Sequence, residues 1–186
     1  MRKNLGVKPY VLPMPVLIVS AYDNNGVGNA MNAAWGTICD MDKVLIVISA
    51  SHKTTKNILS TKAFCVGTAN AENTVQADYV GIVSGNKTVD KLKNTKWEYT
   101  KSTFVNAPVI TSLPLSLECE MISYDEENEI LIGKIINVSA SEDVMDGDKV
   151  DVKKVNPIVY DPTSHSYFTL GDKVGSAFSD GKKLIR

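Results

Sequence analysis

The sequence has few of the residues that metal sites and disulfide frameworks require. Its 186 residues include three cysteines, Cys39, Cys65 and Cys119, and two histidines, His52 and His165. The cysteines are odd in number and form no close Cys-x-x-Cys pair, which argues against a disulfide framework and a thiolate zinc site. We therefore expect no metal ion and interpret the cysteines as small packed residues.

Long apolar runs and a strong excess of either charge are also missing. No segment approaches the roughly 20 apolar residues that span a bilayer, and no apolar signal-peptide stretch follows the basic start MRKNLGVKPY. The formal net charge is −1, so a broad basic surface for nucleic acid is not expected. These absences predict a cytoplasmic protein that associates with neither membrane nor nucleic acid.

Short apolar segments rich in β-branched residues are abundant. They are VLIVS (16–20), VLIVISA (44–50), FCVGT (64–68), LSLECEM (115–121) and ILIGKIINVSA (130–140), with turn signals such as DNNG (23–26) between them. The helical patterns are short and cover 52–61, 71–80 and 87–93. We predict one domain over residues 1–186, mainly β, with a barrel or sandwich and short helices.

Two of these segments carry specific predictions about burial. LSLECEM alternates strictly, which puts its apolar residues on one face and Ser116, Glu118 and Glu120 on an exposed one. The two glutamates are therefore interpreted as solvated side chains and not as a catalytic pair. VLIVISA does not alternate, so both of its faces are expected to be covered.

The stretch SASHKTTKNI (49–58) joins an apolar strand to a helix and is rich in hydroxyl and ammonium groups. The N-terminus of a helix leaves backbone N–H groups unpaired and carries partial positive charge, so serine, threonine and lysine there suit a phosphate. An ordinary helix start explains the same residues, with Ser51 as N-cap and Lys53 and Lys56 on a solvated face. This stretch alone leaves both interpretations open.

The stretch GNAMNAAWGTICD (28–40) is dominated by small side chains. Little bulk on a strand lets a flat ligand lie against its backbone. Asn29 and Asn32 add amide groups, and Trp35 adds an aromatic wall. A tightly packed barrel strand with a core tryptophan is the alternative interpretation.

Together, the segments resemble the flavin reductase-like, FMN-binding split-barrel family, and within it the flavoredoxin-like branch. The resemblance covers nearly the whole chain in the family's order, through 13–40, 44–58, 64–85, DKLKNT (90–95), APVI (107–110), 115–121, IGKIINV (132–138), NPIVY (156–160) and YFTLGDKVG (167–175). The chain departs from the family after ICDM, where DKVLIV replaces a segment that often has two prolines.

The resemblance implies a split β-barrel homodimer with one FMN per subunit near the dimer interface. It assigns SASHKTTKNI to the flavin phosphate: Ser51 and Thr55 would hydrogen-bond the phosphate, and Lys53 would pair with it. Asn57 would tie down the first helical turn. Ser49 and Ala50 complete the predicted phosphate segment.

The resemblance also implies that the isoalloxazine ring lies along GNAMNAAW. The backbone around Asn29, Ala30 and Met31 would face the polar edge of the ring, and Ala33 and Trp35 would lie beside the ring and the ribityl chain. Lys91 matches a family lysine near the cofactor. Tyr167 and Phe168 match C-terminal aromatic residues near the ring.

The implied activity is an FMN-dependent oxidoreductase that receives electrons from NAD(P)H or a redox protein. A flavoredoxin-type electron carrier with little NAD(P)H activity is the alternative, and a barrel that has lost flavin binding is a third possibility. No catalytic residue is predicted, because flavin chemistry belongs to the cofactor. GVGNA (26–30) lacks the third glycine of a dinucleotide fingerprint, so a Rossmann domain is rejected. His165 is interpreted as a surface residue of a polar loop, and Cys39 as a packed strand residue.

Overall fold

A computed structural model describes residues 1–185. The main sheet is formed by β2 (Leu17–Tyr22), β3 (Gly28–Ala33), β4 (Gly36–Asp40), β5 (Lys43–Val47), β6 (Ala63–Thr68), β9 (Leu115–Asp125) and β10 (Ile130–Ala140). Shorter strands are β1 (Met14–Pro15), β7 (Tyr99–Lys101), β8 (Pro108–Ile110), β11 (Met145–Asp146), β12 (Lys149–Val150), β13 (Ile158–Asp161) and β14 (Ser166–Thr169). The α-helices are α1 (Lys53–Thr61), α2 (Thr74–Ile82), α3 (Leu92–Thr95) and α4 (Val152–Val155). This architecture confirms the mainly β prediction with short helices.

The main sheet is antiparallel, in the order β3-β2-β6-β9-β10-β5-β4, and it curls until its two edges meet. Only Ala34 and Trp35 separate β3 from β4, so these two edge strands are halves of one bent strand. Its first half pairs with β2 and its second half with β5. The Val47 N–H donates to the Trp35 carbonyl at 2.8 Å, which secures the bend.

The sheet separates two cores. Ile18 and Val19 are neighbours in β2 with opposite orientations, and both are fully buried. Val19 belongs to the barrel core with Ile46 and Phe64. Ile18 belongs to an outer core that α2 and α3 complete, with Val80 among its members. Both faces of β2 and β3 are therefore packed, which fixes the register of the strand that carries the candidate site.

The prediction of an exposed face on β9 is wrong for Ser116 and Glu118, which are both buried. The β7–β8 hairpin and the loop between its strands cover this face, and alternation along one strand cannot reveal such a cover. Ser102 Oγ donates to one Glu118 carboxylate oxygen, and Asn137 Nδ2 donates to the other at 2.7 Å. Glu120 is exposed, as predicted.

Two further burial predictions need correction. In β5, Val44 and Ile46 are buried, but Leu45 and Val47 are only half-buried, so one face of this strand is open within the chain. Cys39 is exposed on β4 and is not packed, because β4 is an edge strand. Cys65 and Cys119 are buried, and burial raises the pKa of the Cys119 thiol to about 12.

Among residues 1–185, no helix has the length and apolar character needed to cross a membrane. The same part of the chain has no group of three or more histidine, cysteine, aspartate or glutamate side chains that could hold a metal ion.

Candidate functional site

The N-terminus of α1 forms one end of the candidate site. The helix begins at Lys53 after His52, whose backbone is extended and whose side chain makes no capping hydrogen bond. Ser51 is therefore not the N-cap that the sequence suggested. Its hydroxyl instead lies 3.0 Å from the Ser49 hydroxyl, in the turn that leaves β5. The first helical turn also has no acidic residue. No carboxylate within the helix therefore offsets the partial positive charge of its free N–H groups.

Lys53 adds a full positive charge at this point. Its Nζ lies 3.5 Å from Asp23 Oδ2. The Val27 and Asn25 N–H groups donate to Asp23 at 2.9 Å. Together with Lys53, these two donors lower the pKa of the Asp23 carboxyl, and the bond from Val27 contributes most. Asp23 therefore keeps its charge, and Lys53 balances it.

A cavity of about 360 Å³ opens beside this helix end, and we call it the helix-end cavity. Its lining includes Gly28, Asn29, Lys53 and Asn86, and also the carboxylates of Asp23 and Asp90. Asn86 Nδ2 donates to the Ser51 carbonyl at 3.0 Å, which holds the loop after α2 against the turn after β5. The structure thus brings Lys53 of the predicted phosphate segment and the start of β3 to one cavity, and Asn86 links this cavity to Ser51.

The hydroxyls of the first helical turn have different environments. Thr54 Oγ1 accepts a hydrogen bond of 2.7 Å from Asn29 Nδ2, which ties α1 to β3. Thr55 Oγ1 is buried and has no hydrogen-bond partner in the described part of the chain. Asn57 Nδ2 donates to the Ala21 carbonyl at 3.4 Å. Asn57 therefore fastens α1 to β2.

Strand β3 presents mainly its backbone to this site. Ala30 is buried in the outer core, and Met31 and Ala33 pack partly against the barrel core. β3 is an edge strand that pairs only with β2. The N–H and C=O groups of every second residue therefore point away from β2 and have no strand partner. Such free backbone groups suit the polar edge of a flat ligand, the role predicted for Asn29, Ala30 and Met31.

The other end of β3 borders a second cavity of about 360 Å³, which we call the tyrosine cavity. Its polar lining comes from Asn32, Asp78, Tyr160, His165 and Tyr167, and its apolar lining from Val16, Ala33, Ala34, Gly81 and Ile82. Tyr167 Oη donates to Asp78 Oδ1 at 2.8 Å. Burial and this carboxylate together raise the pKa of Tyr167 to about 12, so its phenol stays protonated at neutral pH.

Tyr160 and His165 form the second polar pair of the tyrosine cavity. Tyr160 Oη lies 2.9 Å from His165 Nδ1. The rings of Tyr160 and Tyr167, which are paired across β13 and β14, have centroids 6.0 Å apart. His165 is exposed, as the sequence suggested, but it also lines this cavity.

Lys91 and Phe168 are two of the predicted cofactor residues that lie outside both cavities. Lys91 Nζ is buried and donates to the Val80 and Val83 carbonyls at 2.7 and 2.6 Å, at the end of α2. Burial lowers the pKa of this ammonium to about 8. Phe168 is 54% exposed and its ring lines neither cavity.

Trp35 is 56% exposed, so it is not a core tryptophan. It lies in a third concavity of about 680 Å³, which we call the apolar groove. Trp35, Ile38, Leu45 and Leu117 form part of this groove together with residues of the N-terminal segment. The open face of β5 thus continues into a broad apolar surface.

Asp78, Tyr160 and the contribution of His165 to the tyrosine cavity were not predicted from the sequence. Tyr167 and Asp78 are 89 positions apart, and no local pattern joins α2 to the β13–β14 hairpin. Gly81 is the local feature of the sequence that could have indicated the close approach of α2 to β3. A Cβ atom there would lie 2.5 Å from Asn32 Oδ1, so α2 approaches β3 more closely than any side chain at this position would allow.

Comparisons with known proteins agree with this geometry. The sequence profile of the flavin reductase like domain matches residues 10–166. Flavoredoxin of Desulfovibrio vulgaris (Miyazaki F) superimposes with a TM-score of 0.92 at 29% identity, over 97% of this chain and 100% of that one. Flavoredoxin from Methanosarcina acetivorans superimposes with a TM-score of 0.89 at 28% identity, over 98% of this chain and 100% of that one. An FMN-binding domain of a flavin reductases-like enzyme from Shewanella baltica OS155 superimposes with a TM-score of 0.78 at 20% identity, over 87% of this chain and 88% of that one. This similarity shows the shared fold.

The chain therefore belongs to the flavin reductase-like family, with a split-barrel fold and a flavin-related redox function. The two flavoredoxin structures place it on the flavoredoxin-like branch of that family, as the motifs predicted.

Proposed function

We propose that the protein binds FMN non-covalently and passes electrons from NAD(P)H or a redox partner protein to an acceptor. The observation that carries this proposal is the uncapped N-terminus of α1, which follows the paired hydroxyls of Ser49 and Ser51 and whose Lys53 shares one cavity with the start of β3. Hydroxyls, a lysine and free helical N–H groups are the donors that a phosphate monoester requires.

Thr55 gives this assignment a further test of fit. A buried hydroxyl without a partner costs about 1–3 kcal/mol, and a phosphate oxygen that accepted from Thr55 would remove this cost. The Asp23 carboxylate would repel the phosphate, but Lys53 lies beside both and offsets the repulsion. The residues present therefore fit a phosphate, and the free edge of β3 fits a flat ring.

We propose that FMN lies along β3, with its phosphate at the helix-end cavity and its ring beside Ala33 and the tyrosine cavity. From Asn29 to Ala33 the strand extends about 13 Å, at roughly 3.3 Å per residue. When bound, the flavin supplies the redox chemistry, and the chain supplies binding and orientation. Tyr167 lines the tyrosine cavity, so this placement of FMN would bring Tyr167 near the ring.

A flavoredoxin-type electron carrier is the second candidate function, because both flavoredoxin structures resemble this chain over nearly its whole length. The experiment begins with the purified, untagged protein and its visible absorption spectrum, followed by release and identification of any flavin. NADH or NADPH is then added without oxygen. Rapid bleaching of the flavin bands supports the NAD(P)H oxidoreductase. Bleaching only by a low-potential reductant or a reduced redox protein supports the carrier, and failure to bind added FMN contradicts both.

We further propose that the protein is a homodimer and that the apolar groove contributes to its interface. The groove joins exposed Trp35 and Ile38 to the half-buried face of β5, a contiguous apolar surface of the kind that partners cover. Sedimentation equilibrium should give twice the chain mass. The Trp35→Glu variant should shift the protein toward monomer, whereas Phe104→Glu, an equally exposed aromatic residue outside the groove, should not. A monomeric wild-type protein would contradict the proposal.

A further inference from the structure

We infer that an open cavity between the C-terminal end of α1 and the β7–β8 hairpin binds a nucleoside monophosphate, and we call it the hairpin cavity. It has a volume of about 720 Å³, within the roughly 300–1,000 Å³ found for ligand sites. The turn after β2, the last turn of α1 and the hairpin form its walls. The site goes beyond the proposed function, because the residues that would select its ligand, Tyr22, Tyr99 and Lys101, are not assigned to FMN.

Two tyrosines give the hairpin cavity its aromatic character. Tyr22 and Tyr99 are both half-buried, and neither hydroxyl has a hydrogen-bond partner within residues 1–185. Burial and the neighbouring Tyr99 raise the pKa of Tyr22, so its phenol stays protonated and can donate at neutral pH. Phenol rings with free donors suit a nucleobase, whose face stacks on aromatic side chains and whose edge accepts hydrogen bonds.

The ring of Tyr99 has a fixed position against the start of β3. A Cβ atom at Gly28 would lie 3.1 Å from Tyr99 Cε2, so the glycine permits a closer approach than a larger residue would. Gly28 also lines the helix-end cavity. The contact between Gly28 and Tyr99 therefore lies between the proposed phosphate site of FMN and the hairpin cavity.

The charge around the hairpin cavity favours an anionic group. Lys101 is exposed on β7 and forms no ion pair with any residue in the described part of the chain. Among the described residues, Asp23 is the one carboxylate in the lining. Its charge is offset by Lys53, whose Nζ lies 3.5 Å away, and by two backbone N–H groups. A phosphate can therefore pair with Lys101 without facing an unbalanced carboxylate.

A smaller cavity of about 230 Å³ lies between the hairpin cavity and the helix-end cavity. It shares Asn24 and Ser60 with the hairpin cavity and Lys53 with the helix-end cavity. Lys56, which is exposed on α1, adds a further ammonium group to its lining. A nucleotide whose base lies in the hairpin cavity can therefore direct its phosphate toward Lys101 or toward Lys56.

The walls of the hairpin cavity are held in place before any ligand arrives. Ser20 Oγ donates to the Pro108 carbonyl at 2.7 Å, which fastens the hairpin to β2. Ser60 Oγ donates to Asn24 Oδ1 at 2.5 Å, which ties the turn after β2 to α1 and directs the Asn24 oxygen away from a ligand. The amide N–H groups of Asn24 then remain as donors for a sugar hydroxyl. Such preorganisation lowers the entropic cost of binding.

Two sources can supply this chemistry, a free nucleotide or the nucleotide half of a dinucleotide. In the second case the other half would be a flavin mononucleotide along β3, because the cavity that contains Lys56 lies between the two sites. FAD is such a molecule, since it consists of FMN joined to AMP.

The test compares AMP with adenosine, which share the base and the sugar and differ in the phosphate. The protein is first saturated with FMN, so that AMP cannot occupy the helix-end cavity. Ligand-observed NMR then gives both dissociation constants. We expect AMP to bind about two- to fivefold more tightly than adenosine. If the protein does not take up FMN, the proposed function fails, and the same comparison in the flavin-free protein still tests the hairpin cavity.

Two variants link this binding to the hairpin cavity. Lys101→Met should weaken AMP about two- to fivefold and leave adenosine nearly unchanged. Tyr99→Leu should weaken both ligands by at least about fivefold, because the base loses its stacking partner. Lys134→Met removes the same charge from an exposed position of β10 outside the cavity and should alter neither ligand. Thermal unfolding verifies the fold of each variant.

Titration with FAD identifies the source. Tighter binding of FAD than of FMN to the flavin-free protein, with this advantage lost in Lys101→Met, supports the dinucleotide. Equal affinity for FAD and FMN, with AMP still bound to the FMN-saturated protein, supports a free nucleotide. AMP that does not bind the FMN-saturated protein, or that binds no better than adenosine, would overturn the inference. So would an equal loss of AMP binding in Lys101→Met and Lys134→Met.

Discussion

The two ends of β3 are built alike but have opposite electrostatic character. At one end Asn29 bonds Thr54 of α1, and at the other Asn32 bonds the Ala77 carbonyl of α2. A glycine lies against each asparagine, Gly85 and Gly81 respectively. Similar strand geometry thus positions two cavities, and the surrounding loops determine what each one accepts.

The difference lies in the residues that the neighbouring elements contribute. Asp23 and Asp90 both line the helix-end cavity, but each is paired with a lysine, Lys53 and Lys93 respectively, and the uncapped helix end attracts an anion. In the tyrosine cavity no lysine among the described residues lies in the lining, so the Asp78 carboxylate repels an anion. One strand can therefore orient a ligand with a charged end and a neutral end, which is the chemical asymmetry of FMN.

The largest expected effect comes from removing the cation and a hydroxyl at the helix end. The double variant Lys53→Ala, Thr55→Ala should weaken FMN binding by roughly 2–5 kcal/mol, from two charge-assisted hydrogen bonds that are not fully additive. Titration of the flavin-free protein with FMN measures the change. Lys56→Ala removes the same charge elsewhere on α1 and should have a smaller effect. Unchanged affinity in the double variant would remove the phosphate from this end of β3.

Thr55 and Thr54 should respond in opposite directions when each is replaced by valine. Thr55→Val removes a hydroxyl without a partner, so the flavin-free protein should gain about 1–3 kcal/mol of stability while FMN binding weakens. Thr54→Val leaves the Asn29 amide unpaired and should destabilise the protein. Urea unfolding and FMN titration measure the two effects. If Thr55→Val left FMN affinity unchanged, Thr55 would not be a phosphate ligand.

The two glycines test whether the ends of β3 are independent. A Cβ at Gly85 or Gly81 would lie 2.5 Å from the amide oxygen of Asn29 or Asn32. Each alanine variant should lose about 1–3 kcal/mol of stability because its asparagine must move. Gly85→Ala, beside the helix-end cavity, should weaken FMN binding more than Gly81→Ala does. Gly171→Ala, in open space, serves as the control. Equal weakening of FMN binding in both variants would show that the ends are coupled.

The smallest predicted effect is a pH-dependent change in the free energy of unfolding, caused by Lys91. Burial lowers the pKa of its ammonium to about 8 from an ordinary value of 10.5. Between these values the unfolded chain holds the proton and the folded chain does not, so stability attributable to Lys91 rises as pH increases from about 8 to 10.5. Over this pH range the unfolding free energy of the wild type should therefore rise relative to that of Lys91→Met. Lys93→Met, at an exposed ion pair, should not remove the slope.

The strand-to-helix junction at SASHKTTKNI was predictable because its signal is local. Hydroxyls and Lys53 follow directly on a strand and precede a helix, and the structure keeps them together. Details that depend on neighbours were not predictable in this way. His52 takes the N-cap position, and the Ser51 hydroxyl faces Ser49 instead.

The features that were not predicted depend on contacts between distant parts of the sequence. Glu118 appeared solvated because strand alternation carries no information about the β7–β8 hairpin that covers it. The tyrosine cavity combines α2 with a hairpin more than 70 residues away along the chain. The bend between β3 and β4 places Trp35 in the apolar groove, which the residue pattern could not indicate.

That bend also restricts how the chain length can change. Because one strand pairs with β2 before Ala34 and with β5 after Trp35, a residue inserted between them would reverse the faces of everything that follows. A larger side chain would then replace Gly36, whose Cβ position lies 3.2 Å from the Leu45 carbonyl. Insertions and tags should therefore be tolerated at the exposed 125–129 turn, while the two-residue connection between β3 and β4 keeps a constant length.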